Sequence, residues 1–339
     1  MIRIFLIFAA SYRFVMIGIE KIKSPIAAEL EIFDRQFKQT LKSDVFLLNL
    51  ITRYVLKTKG KQIRPVLVLL SARLFGEISP KTYTAASLVE LLHTTSLVHD
   101  DVVDDANERR GAFSVYALWK SKTSVLFGDY LLAQGLLLSV DNQAYDLLRI
   151  VSLAVKEMCE GELLQLQHSR KQDITREAYF RVIHKKTAAL ISACTEAGAS
   201  SSGATSEQLE QMRQFGVYLG LIFQIKDDLF DYQPHGVTGK PVGNDIKEKK
   251  FTLPLIYALQ QASQTEKKQV LRLINSSSPD SQKLKTITRF VAEKGGIDHC
   301  LVTMKELAEK AIAIIELFPP SDAATALIEI VEYSMKRKR

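Results

Sequence analysis

Residues 97–111 read LVHDDVVDDANERRG, and residues 223–231 read FQIKDDLFD. Both carry the spacing D-D-x-x-D: Asp100, Asp101 and Asp104 in the first, Asp227, Asp228 and Asp231 in the second. Apolar residues before each cluster recur at helical spacing, so the acids ride the ends of core helices. Asp100 and Asp104 then share a face with β-carbons about 5–6 Å apart, while Asp101 is turned away. The C-terminal end of a helix disfavours negative charge, so these carboxylates weaken the helix that bears them. A hard divalent cation relieves both penalties: Mg²⁺ binds one or two carboxylates, keeps several waters and completes its shell with substrate phosphate.

Cations stand where such a phosphate would need them. Arg109 and Arg110 follow the first cluster, with the fork geometry that grips phosphate oxygens. GKQIRP, residues 60–65, sets Lys61 and Arg64 where a loop enters a helix, an arrangement that holds a phosphate at a helix start. HKKTAALISA puts Lys185, Lys186 and Thr187 at the front of a small, apolar helix, and Lys240 lies in a Gly- and Pro-bearing loop after the second cluster, as a mobile closing residue would. Each feature alone also fits a solvated surface. Two copies of the acidic spacing, each followed by basic residues, favour one shared site for metal and phosphate.

The elements that position these groups read as all-α. Helical periodicity runs from SPIAAELEIFDRQFKQTLK to SDAATALIEIVEYSMKRK, and strand-like alternation is nearly absent. Breaks such as FGEISPKT, NERRGAF and ASSSGATSE are too short to be domain linkers. The expectation is one large helical domain over residues 24–339, after an N-terminal extension over residues 1–23. In that extension MIRIFLIFAASYRFVMIGI is apolar, but Arg3 and Arg13 interrupt it and Met16 offers a later start. The 339 residues are 47% hydrophobic, ample for a deep core. A formal charge of +7 favours anionic partners. Nucleic acid ranks last among them, because no basic patch is interleaved with aromatics. Cys159, Cys194 and Cys300 form no CxxC pair, which excludes a disulfide framework and a zinc site and fits a reducing cytoplasm. The closing KRKR reads as a solvated tail that could also touch anionic lipid.

Taken in order, GKQIRP, LLHTTSLVHDDVVDDANERRG, VLFGDYLL, EGELLQL, KTAALI, FQIKDDLFD and GKPVGNDIKEKKFTLPLI closely resemble the trans-isoprenyl diphosphate synthases, the polyprenyl synthetase family. The resemblance spans about residues 24–330. It implies the isoprenoid synthase fold, with a cavity between antiparallel helices, and three Mg²⁺ ions joining an allylic diphosphate to the two acidic clusters. Asp100, Asp104 and Asp227 would be the principal ligands, with Asp101, Asp228 and Asp231 in support. Lys61, Arg64, His93 and Arg110 would hold isopentenyl diphosphate; Arg109, Lys186, Lys240 and, more weakly, Lys250 would hold the allylic diphosphate. Lys249, Lys250 and Phe251 stand where the family has Gly-Lys before TLP, a departure that bears on Lys250. The implied reaction is head-to-tail condensation through an allylic cation, with Gln224, Lys186 and Thr187 placing partial negative charge beside it and the departing pyrophosphate taking the proton.

Product length is then steric. A tail running down the helix from Asp100 meets Ser96, Thr95 and Leu92, where short-chain members carry bulky aromatics. Small residues there imply an octaprenyl-like product of about seven to nine units, suited to a quinone side chain, with Phe127 or Met158 as an equally possible lower stop. The allylic primer would be farnesyl or geranylgeranyl diphosphate. The resemblance also implies a homodimer, and an insoluble product points to peripheral membrane contact. The alternatives are a shorter-chain farnesyl or geranylgeranyl diphosphate synthase, a terpene cyclase, which lacks the intact second cluster, and a noncatalytic subunit, which loses acidic residues that are all present here.

Overall fold

Proline at the first turn of a helix lacks only an amide that would be unpaired anyway, and Pro80 starts the helix of the first aspartate cluster in this way. Ser79 and Thr82 close a reciprocal capping box around that start. Thr205 with Gln208 and Ser263 with Glu266 repeat the device. The computed structural model describes residues 18–58, 60–109, 111–171, 175–232, 246, 250–276 and 280–337. Its helices are α1 (Ile19–Lys23), α2 (Ala27–Thr40), α3 (Phe46–Lys57), α4 (Ile63–Phe75), α5 (Pro80–Val103), α6 (Val115–Asp141), α7 (Tyr145–Lys171), α8 (Arg176–Ile183), α9 (Ala189–Ser201), α10 (Ser206–Phe230), α11 (Leu253–Gln260), α12 (Gln264–Asn275), α13 (Asp280–Glu293), α14 (Gly296–Ile315) and α15 (Asp322–Lys336). The fold is all-α, as expected. Its strands are β1 (Glu108–Arg109) and β2 (Ala112–Phe113), an antiparallel pair that turns at Gly111, φ +76°.

The core lies along α4, which is buried from Pro65 to Ala72 and packs against α5, α9 and α15. A helix apolar on all sides belongs inside a bundle, which is how its run of Val and Leu behaves. α5 packs along α6, and α9 packs along α10. Ile22 of α1 is fully buried and Lys21 pairs with Glu329 of α15, so the folded body reaches N-terminally of residue 24, the expected boundary. Residues 1–17 lie outside the described residues.

Between α8 and α9 the chain makes one turn of π-helix, His184–Ala188. Such turns are rare and concentrate at functional sites. Two glycines clamp this one. A Cβ on Gly161 of α7 would sit 2.6 Å from the Lys186 amide nitrogen, and one on Gly220 of α10 would sit 2.5 Å from the Ala188 Cα. Both are closer than carbon can approach, so glycine alone lets α7 and α10 press the turn from two sides.

Candidate active site

α5 ends as predicted, with Asp104 as its C-cap and Asp100 one turn earlier. Both side chains are exposed, and neither makes an ion pair among the described residues. Asp101 is 98% buried and accepts a 2.7 Å bond from Arg109 Nε on β1. The β-hairpin thus folds Arg109 back onto the acid eight residues before it. Burial raises the Asp101 carboxyl above its ordinary range and the Arg109 contact pulls it partly back. Asp100 is raised too, first by desolvation and then by nearby Glu162, with Lys186 and Arg109 opposing. Asp100 and Asp104 therefore hold a crowded negative charge with no ion-pair partner among the described residues.

The second motif sits at the end of α10. Asp228 and Asp231 are each 97% buried, while Asp227 is half-exposed. Asp228 is held from two sides: Tyr179 donates to Oδ2 at 2.6 Å and Gln224 Nε2 donates to Oδ1 at 2.8 Å. Thr187 in turn donates to Gln224 Oε1 at 2.7 Å. The chain Thr187, Gln224, Asp228, Tyr179 fixes the Gln224 amide with its oxygen toward the π-turn.

Lys186 links the two motifs. Its charge acts on Asp100, and its side chain lines a cavity of ≈ 90 Å³ together with Thr187, Gln224, Asp228 and Lys250. It contacts Glu162 at 2.5 Å and Gln165 Oε1 at 3.1 Å. Lys250, beside the departure before TLP, lines this cavity as the resemblance implies for an allylic-side cation. A second cavity, ≈ 70 Å³, brings His93, Asp101 and Arg109 together with Glu90. Lys61 donates to Tyr333 Oη at 2.8 Å, and Arg64 enters α4 behind Gln62, whose left-handed φ of 57° turns the loop into the helix. Lys185 points elsewhere, pairing with Glu160 at 2.7 Å. Arg110 and Lys240 lie outside the described residues.

Of the chain-length residues, Thr95 is buried against α6 and donates to the Gly128 carbonyl at 3.3 Å. Leu92 is buried on the same side, near Gly135. Ser96 is half-buried with its hydroxyl on the His93 carbonyl at 2.8 Å. Phe127 is buried and Met158 half-buried.

Of the closing KRKR, Lys336 is exposed as expected, the last two residues lie outside the described residues, and Arg337 departs from expectation. Arg337 is not solvated: its side chain is 11% exposed and bonds Asp227 Oδ1 at 2.7 Å and the Phe223 carbonyl at 3.0 Å. Its guanidinium lies 3.7 Å from the Phe223 ring centroid. Tyr179, Glu162, Gln165 and Arg337 are the site residues that sequence reasoning did not assign. EGELLQL contained Glu162 and Gln165 without marking their role.

No group of three or more His, Cys, Asp or Glu among the described residues is arranged to hold a metal ion. The donors nevertheless fit Mg²⁺, which takes one or two carboxylates and fills its remaining positions with water and phosphate. The raised carboxyl of Asp100, one turn from the unpaired Asp104, is the local charge a cation would relieve.

Residues 46–291 match the polyprenyl synthetase family. The all-trans-nonaprenyl-diphosphate synthase (geranyl-diphosphate specific) of Rhodobacter capsulatus is 36% identical over 94% of this chain and 98% of its own. Among solved structures, the polyprenyl synthase of Caulobacter crescentus CB15 complexed with calcium and isoprenyl diphosphate superposes with a TM-score of 0.87 at 31% identity, covering 95% of this chain and 98% of that one. The geranylgeranyl pyrophosphate synthase of Bacteroides thetaiotaomicron gives 0.80 at 38% identity, covering 94% and 99%. With two D-D-x-x-D helix ends converging on Lys186, the chain belongs to the polyprenyl synthetase family and is a trans-prenyltransferase.

Proposed function

We propose that the protein condenses isopentenyl diphosphate head-to-tail with an allylic diphosphate, in the presence of Mg²⁺, to give an all-trans polyprenyl diphosphate of about seven to nine units for a quinone side chain. The observation that carries this reading is Lys186, which acts on Asp100 and shares a cavity with Asp228. Asp100, Asp104 and Asp227 would hold the cations, which when bound supply charge neutralisation for the departing pyrophosphate. Lys61, Arg64 and His93, with Arg110, grip isopentenyl diphosphate. Arg109, Lys186, Lys240 and Lys250 grip the allylic diphosphate. Gln224 Oε1 and the Thr187 hydroxyl oxygen, locked by the bonds to Asp228, present partial negative charge to the allylic cation. Val182, Ile183 and Phe251 on the cavity wall keep water from quenching it. The pyrophosphate then accepts the proton that the isopentenyl unit loses from the carbon beside its new cationic centre, and the C–H electron pair becomes the product's double bond.

Small Ser96 and Thr95, and the likeness to a nonaprenyl synthase, support the longer product. A four-unit product is the second reading, favoured by the likeness to a geranylgeranyl pyrophosphate synthase and by Thr95 being turned to α6. For assembly we propose a homodimer through α6. After the break at Lys120, Leu126, Leu132, Leu136, Leu137 and Val140 expose an apolar stripe there, at the spacing of one helical face. The test incubates purified protein with labelled isopentenyl diphosphate, farnesyl diphosphate and Mg²⁺ and resolves the products by length. A metal-dependent ladder ending at about seven to nine units supports the reading; a stop at four units selects the shorter one, and no condensation rejects both.

A further inference from the structure

Away from the phosphate-gripping loop, the start of α3 carries a surface for which the reaction has no use. Val45, Phe46, Leu47 and Leu50 are all exposed there, Phe46 by 74%. Beside them, where the end of α2 meets α3, lies an open groove of ≈ 930 Å³. Lys38, Lys42, Arg53 and Lys57 line it, against the single acid Asp44. None of the four cations has an ion-pair partner among the described residues, whereas surface lysines elsewhere, such as Lys81 and Lys185, are paired with acids. Thr52, 94% buried, also lines the groove, and its Oγ1 has no hydrogen-bond partner among the described residues. A buried hydroxyl left unpaired carries a desolvation cost that an entering polar ligand removes.

Unpaired cations around exposed aromatic and aliphatic side chains are the pattern of a lipid interface, where the cations meet anionic headgroups and the apolar groups enter the acyl boundary. A second copy of the chain is a poor occupant, because a two-fold contact here would set like charges against each other. We propose that this groove and the apolar patch at its edge dock the protein on an anionic phospholipid surface. Lipid phosphate sits among Lys38, Lys42, Arg53 and Lys57 within reach of Thr52, and Phe46 inserts beside it. α3 is 12 residues and about 18 Å long, so Phe46 inserts at its far end from the Lys61 and Arg64 loop, while Lys57 at its near end meets headgroups only. The inference deepens the reading of a long, insoluble product, which then forms next to the phase that must receive it.

Vesicle flotation of the full chain tests it without turnover. Vesicles of equal parts phosphatidylcholine and phosphatidylglycerol should float the protein, pure phosphatidylcholine should not, and added salt should weaken the binding. Lys38→Gln with Lys42→Gln should weaken it about thirtyfold, at roughly fivefold per lysine. Phe46→Ser should keep the preference for anionic lipid and lose about tenfold in affinity. Condensation assayed in detergent should be unchanged in all of these variants. Wild-type binding by the double lysine variant, or equal binding to neutral vesicles, overturns the proposal. So does conversion of a dimer to a monomer by Phe46→Ser, which would assign the patch to a protein contact. Flotation with no condensation would instead fault the proposed function and leave the docking surface standing.

Discussion

The two aspartate motifs have the same spacing and opposite surroundings. At the end of α5, Asp100 and Asp104 face solvent and only Asp101 is committed, to Arg109. At the end of α10, Asp228 is fixed by Tyr179 and Gln224, Asp231 is buried, and Asp227 is paired with Arg337. In both motifs the middle acid is a buried, fixed post that lines a cavity, and the first is the more exposed of the two. The difference lies in neutralisation: the first motif waits with open charge, and the second is wired into the wall that presents Gln224 and Thr187. Identical spacing thus yields one loosely held and one rigid carboxylate set.

Four variants sharpen or break this contrast. The largest effect belongs to Asp100→Ala and Asp227→Ala. Each should lower kcat by about 10³-fold with the secondary-structure spectrum intact, and unchanged turnover in either would remove that motif from the site. Next come the middle acids. Asp101→Asn and Asp228→Asn should each cost about 10–100-fold, the usual range for groups that orient rather than bind. Asp228→Asn should also disturb Gln224 and so lower kcat at unchanged KM for the allylic substrate, whereas Asp101→Asn, which frees Arg109, should act on KM. The same kinetic signature from both would erase the distinction.

Gly161→Ala drives a methyl against the Lys186 amide and should unfold at lower denaturant, by about 1–3 kcal/mol, with reduced turnover. Full activity would mean that the π-turn yields without moving Lys186. The smallest effect is thermal. Partial desolvation by the surrounding helices and the charge of Glu162 raise the Asp100 carboxyl, so its ionisation opposes folding. That opposition is absent at low pH, where folded and unfolded carboxyls are both protonated, and grows as pH rises through the folded-state value. Metal-free Asp100→Asn should therefore melt slightly above wild type at pH 7, and the gap should close on acidification below about pH 4. A gap that widens in acid would reverse the assignment.

Most of the fold was legible because helix periodicity is local, and the breaks at FGEISPKT and ASSSGATSE contain Ser79 and Thr205, which cap the helices that follow them. Both acidic motifs were legible because their spacing is one helical turn. Arg337 was not, since it reaches Asp227 across 110 residues and no local pattern distinguishes it from a solvated tail. Thr95 lies one turn before His99 on α5, yet it is Gly128 on another helix that decides which way it faces. The π-turn was equally hidden, because it depends on two glycines in two other helices. Folded sequence before residue 24 was missed because α1 is short and gains its burial from α15.

If the motifs hold cations as proposed, the Arg337 contact would make uptake at the two of them different processes. At Asp100 and Asp104 a divalent ion adds charge to an open pair, so its affinity should fall steeply as background electrolyte rises. At Asp227 an incoming ion would have to displace the Arg337 guanidinium, an ion exchange in which the carboxylate would never be bare. Uptake there should respond weakly to electrolyte and should release the chain end from its place against Phe223.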